Sequence, residues 1–109
     1  MADISKESQE KIKRMQLLEQ NMQSMLSQRQ QFQQQLSEIE SAISESKDSS
    51  KTYKIIGGIM VSVDKDKLMK ELEEKREILS LRVKSLENQE DRLKEKAKKM
   101  QDEILQDIK

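Results

Sequence analysis

Cysteine and histidine are both absent from this 109-residue chain, and that bounds the chemistry its side chains can do. Without cysteine there is no disulfide, no thiolate zinc site and no thiol nucleophile. The carboxylates remain as candidates for acid-base work, but they fall on the polar faces of expected helices. No pocket-forming core is available there to move their pKa values. Gly57-Gly58 invites a phosphate-cradle reading, yet the spacing of a P-loop is missing and no Gly-Lys-Ser/Thr follows, so the pair reads as a turn. Tyr53 is a possible modification site, although burial in an assembly accounts for it equally well. No catalytic residue, metal ligand or cofactor is nominated, and the chain is not expected to be an enzyme.

The residues that could do work are apolar ones that a narrow protein cannot fully bury. Only 33% of the residues are hydrophobic and 39% are charged, so a wide globular core is out of reach. There is no proline and no tryptophan, and there are only two glycines, whereas Glu, Lys, Gln, Leu, Met and Ser abound. This is the composition of long helices. The 21 basic and 21 acidic residues balance and mix along both halves, which leaves no electrostatic footprint for nucleic acid or an anionic membrane. No apolar run approaches the roughly 20 residues of a membrane-spanning helix. Residues 1–10 lack the apolar core of a signal peptide, so a soluble, intracellular protein is expected.

Periodicity sets the elements. From Met15 the residues Leu18, Met22, Met25, Arg29, Phe32, Leu36, Ile39 and Ile43 step by three and four, which is a heptad seam. Running the frame backwards reaches Lys11, Ser8 and Ile4, with Ile12 beside the seam. Arg29 at a seam position could fix register or mark a partner site, although such a residue more often lays its aliphatic stem over the seam and its charge in water. Met15, Met22 and Met25 suit adaptable binding, but their regular positions favour packing. The glutamine-rich stretch 28–35 reads as solvated helix surface.

The second half repeats the design. Leu72, Leu79, Leu86, Leu93 and Met100 fall seven apart, followed four residues later by Arg76, Val83, Glu90, Ala97 and Ile104. Leu68, Ile78, Leu81, Leu105 and Ile108 widen the stripe. The expected organisation is one domain over 1–109: a first coiled-coil helix over 4–46, a β-hairpin over 52–63 and a second coiled-coil helix over 65–108. Each arm would be about 60 Å long, and two matched arms seal each other as an antiparallel hairpin, with Ile4 near Ile104.

Between the arms, Tyr53-Lys54-Ile55-Ile56 and Ile59-Met60-Val61-Ser62-Val63 flank Gly57-Gly58. Two β-branched runs around Gly-Gly predict a hairpin with a primed turn. Asp64 and Asp66 then favour restarting a helix. Pairing Ile56 with Ile59 sets Lys54 opposite Val61 and Thr52 opposite Val63, while Tyr53, Ile55, Met60 and Ser62 share the other face. Both faces are substantially apolar and both edges are open. A lone two-stranded hairpin is marginal in water, and its edges are templates for other chains. The bend is therefore the expected site of oligomerisation, through Tyr53, Ile55, Ile56, Gly57, Gly58, Ile59, Met60, Val61 and Val63.

This layout, with Tyr53-Lys54-Ile55-Ile56-Gly57, Ile59-Met60-Val61 and then Leu72-Glu73-Glu74-Lys75-Arg76-Glu77, resembles the beta-type subunits of the prefoldin family over nearly the whole chain. The resemblance implies a mainly α fold whose hairpin joins an intersubunit β-barrel. It implies a hexamer of two alpha-type and four beta-type subunits with six coiled-coil tentacles. It also implies an ATP-independent holdase that binds unfolded polypeptides at the tentacle tips and delivers them to a group II chaperonin in the cytosol. Ile4, Ile12, Met100, Ile104, Leu105 and Ile108 gather at those tips. Ile104, Leu105 and Ile108 exceed what one seam needs, so some of them should face water. The alternative is a structural coiled-coil adaptor that docks one defined partner.

Overall fold

The computed structural model describes residues 5–108. Helix α1 spans Lys6–Lys47, strand β1 Thr52–Ile56, strand β2 Ile59–Val63 and helix α2 Lys65–Ile108. The helices are 42 and 44 residues long and contain neither proline nor glycine. Their ends are capped by local polar groups. The Ser8 N–H donates to Ser5 Oγ at 3.1 Å, and the Lys67 N–H donates to Asp64 Oδ2 at 3.2 Å. Each side-chain oxygen thereby satisfies one of the orphan donors of a helix start. At the other end of α1, Lys65 Nζ donates to the Lys47 carbonyl at 2.6 Å, so a cation closes the helix C-terminus.

The chain divides into two compact units. The bend unit is Gln31–Val83 and the terminal unit combines Met1–Gln30 with Lys84–Lys109. In the bend unit, α1 and α2 pair antiparallel, as Arg82 stacking on Phe32 and Lys65 reaching Lys47 show. Its core consists of Ile43, Leu79 and Val83, all buried. In the terminal unit the pairing is again antiparallel, because Lys11 reaches Asp107 while Arg29 reaches Glu90. Every apolar seam position from Met15 to Ile43 is at least partly covered, and so are Leu72, Leu79, Leu86, Leu93 and Met100. The heptad reading of both helices holds.

Arg76, although at a seam position, is exposed. One seam expectation needs correcting. Arg29 is not directed to solvent: its guanidinium is paired with a carboxylate across the seam. The polar residues that extend the frame backwards are covered, Ser8 being only 2% exposed and Lys11 half-buried. Polar partners satisfy them, so the seam continues there without apolar side chains. Ile4, expected near Ile104, lies outside the described residues; on either side of Ile104 in the chain, Glu103 and Asp107 are both reached by Lys11.

Candidate functional site

The hairpin is built by its turn. Gly57 and Gly58 have φ of 56° and 79°, left-handed values that side chains with a Cβ avoid. A primed turn of this kind matches the twist of the strands and sets the register: Thr52 with Val63, Tyr53 with Ser62, Lys54 with Val61, Ile55 with Met60 and Ile56 with Ile59. This is the pairing expected from the positions of the glycines. Thr52 Oγ1 donates to the Val63 carbonyl at 2.9 Å and is buried at the root of the sheet.

One face of the hairpin is anchored. Lys54 Nζ donates to Glu71 Oε1 of α2 at 2.7 Å, and Lys75 approaches the same oxygen at 3.5 Å. The hydrogen bond from Lys54 holds the Glu71 carboxyl below its ordinary value of 4.5. Beyond Lys54 that face opens, leaving Ile56, Ile59 and Val61 exposed. The other face is open throughout, with Ile55 72% and Met60 67% exposed and Tyr53 half-exposed. A two-stranded sheet is marginal by itself in water, and this one keeps apolar residues bare on both sides.

The terminal unit ends in a polar clasp. Ser8 Oγ donates to Asp107 Oδ2 at 3.3 Å, and Lys11 Nζ donates to the same oxygen at 3.0 Å. Ser5 Oγ donates to Ser8 Oγ, so the cap of α1 is wired to the last turn of α2. The hydrogen bond to Asp107 raises the Lys11 pKa above its ordinary 10.5. Around this clasp, Ile104 is buried and belongs to the seam, Ile12 and Met100 are partly covered, and Leu105 and Ile108 are exposed at 52% and 47%. Of the five described residues expected at the tip, these two project apolar surface into water.

A third feature escaped the sequence reading. Arg29 Nε donates to both carboxylate oxygens of Glu90, at 2.8 and 3.0 Å, and Glu90 is only 7% exposed. The clue was present, since each residue occupies a seam position of its own helix. What periodicity does not supply is the level at which the two seams face each other. Among the described residues, no group of three His, Cys, Asp or Glu could hold a metal ion. No described helix is long and apolar enough to cross a membrane.

Comparison with known proteins places this arrangement. The model of the prefoldin subunit family matches residues 9–109. The chain is 35% identical to prefoldin subunit beta of Pyrobaculum arsenaticum, covering 99% of this chain and 90% of the relative. It is 32% identical to prefoldin subunit beta of Archaeoglobus fulgidus, covering 95% and 92% respectively. The crystal structure of the prefoldin beta subunit from Thermococcus strain KS-1 superposes with a TM-score of 0.93 at 31% identity, over all of this chain and 98% of that one. The family is one of chaperones rather than of enzymes, and its members are subunits of a larger complex. The chain belongs to the prefoldin subunit family, and within it resembles the beta-type subunits.

Proposed function

We propose that this chain is a holdase subunit. Its hairpin assembles with alpha-type subunits into a hexamer of two alpha and four beta chains. Its helix ends hold unfolded polypeptides for transfer to a group II chaperonin in the cytoplasm. The observation that carries the reading is the pair Leu105 and Ile108, exposed beside a seam that Ile104 already completes. A residue that packing does not use, and that hydration disfavours, suits transient burial by a client's apolar segment. Each such burial contributes up to roughly 1.5–3 kcal/mol, and several tips acting together add avidity.

Replacing Leu105 and Ile108 with serine tests this, because neither side chain supports the seam. The assembled complex carrying both changes should keep its helicity and mass while suppressing aggregation of a denatured test protein much less well than the parent. Undiminished suppression would remove the helix ends from the client site. The clasp among Ser8, Lys11 and Asp107 gives the adaptor reading its one support, since an ordered end can dock a defined partner. In that case the parent complex would not protect unrelated denatured proteins.

A further inference from the structure

Two clefts flank the seam of the terminal unit, and they differ in charge. One, of about 390 Å³, is lined by Met22 and Leu26 with Glu19, Arg29, Glu90 and Lys94. Its two cations face two anions, and Arg29 is bonded to Glu90. The other, of about 550 Å³, has Met25 and Leu93 as its apolar lining. Around them stand Arg92, Lys96 and Lys99 against the single anion Glu95. All four charged residues are exposed, and among the described residues none of the three cations takes part in a hydrogen bond or ion pair. On α1, residues 20–27, which supply Met25, carry no charge, and Glu19 lines the other cleft.

We propose that this second cleft docks an acidic polypeptide segment anchored by an apolar side chain. The anchor would rest on Met25 and Leu93, where a thioether adapts to side chains of different shape. The segment's carboxylates would meet Arg92, Lys96 and Lys99, which follow one side of α2 over about two turns. The cleft is of a size that takes a few side chains. A polypeptide fits better than a nucleic acid: the lining offers no aromatic surface on which bases could stack, and its floor is apolar where a phosphate backbone needs polar donors. The inference rests on the holdase reading and narrows it, by giving the complex a site along the helices that selects clients by charge.

The test is fluorescence anisotropy with a labelled peptide of leucine and glutamate at amphipathic helical spacing, beside a leucine-lysine peptide of the same pattern. The full chain should bind the acidic peptide in a salt-sensitive way. The double variant Lys96→Glu, Lys99→Glu should bind it about tenfold more weakly and gain affinity for the basic peptide. The neutral variant Lys96→Gln, Lys99→Gln should fall between, and circular dichroism should be unchanged in both, since the side chains are exposed. Equal affinity of parent and charge-reversed chains for the acidic peptide would overturn the assignment. Displacement of the peptide by an equimolar single-stranded oligothymidylate would overturn it in favour of nucleic acid. If the peptide result fails while aggregation is still suppressed, the cleft assignment falls and the holdase reading stands. The reverse result removes the holdase reading and leaves the cleft as an acidic-peptide site that does not serve client selection.

Discussion

Arg29 and Glu90 interrupt two apolar seams at one level, and their geometry makes them an ion pair rather than two defects. A buried pair of this kind adds little over an apolar pair of equal volume, but removing one partner strands the other charge in a place that water reaches poorly. Arg29→Met should therefore lower stability by up to about 3 kcal/mol, the figure being tempered because the arginine side chain is 21% exposed. Adding Glu90→Leu to it should restore most of the loss. Urea denaturation of the single and double variants measures both, and a double variant no more stable than Arg29→Met would mean that the pair is not the unit of stability. Because the two charges meet only when the helices are in one alignment, the pair also suits the role of setting register.

At the scale of elements, the hairpin is held to α2 by a contact that responds to pH. The Glu71 carboxyl is held below its ordinary value, first by the hydrogen bond from Lys54 and then by that residue's charge. A depressed folded-state value means that the contribution is present above the ordinary carboxylate range and is lost as pH falls through the lowered value. Hydrogen exchange of the 52–63 amides, corrected for intrinsic rates, should thus be level from neutral pH down to about pH 5 and accelerate in more acid solution. Protection that persists unchanged into strong acid would mean that Lys54 and Glu71 do not hold the hairpin. The Lys11–Asp107 contact has the opposite sense: the raised lysine value keeps it present below 10.5, and it is lost as pH rises through the higher folded value.

For the whole molecule, the proposed function requires association through the hairpin. Ile55 and Val61 lie on opposite faces of the hairpin and are 72% and 40% exposed, so neither is needed to fold this chain. Replacing both with aspartate should leave helical content nearly intact and dissociate the complex, because each carboxylate would be buried without a partner at the subunit contact. Native mass spectrometry of the chain with an alpha-type subunit should show free chains in place of the assembly. An unchanged mass would take the hairpin out of the interface.

Much of this was legible in the residue order, for stated reasons. Steps of three and four from Met15 to Ile43, and of seven from Leu72 to Met100, can be satisfied only by two helices with one covered stripe each. Gly57-Gly58 between β-branched runs dictates both a primed turn and the register that follows from it, since only glycine enters that backbone region without strain. Local chemistry of this sort depends on neighbours in the chain, so sequence by itself determined the helices, the hairpin and its two bare apolar faces. What depends on alignment between distant segments waited for the tertiary structure. Only the facing of the two seams decided that Arg29 meets Glu90, that Ser8 and Lys11 clasp Asp107, and that Ile104 is buried while Leu105 and Ile108 are not. It also decided that cations evenly dispersed in the composition gather beside Met25, because a charge count along the chain takes no account of which side of a helix each charge occupies.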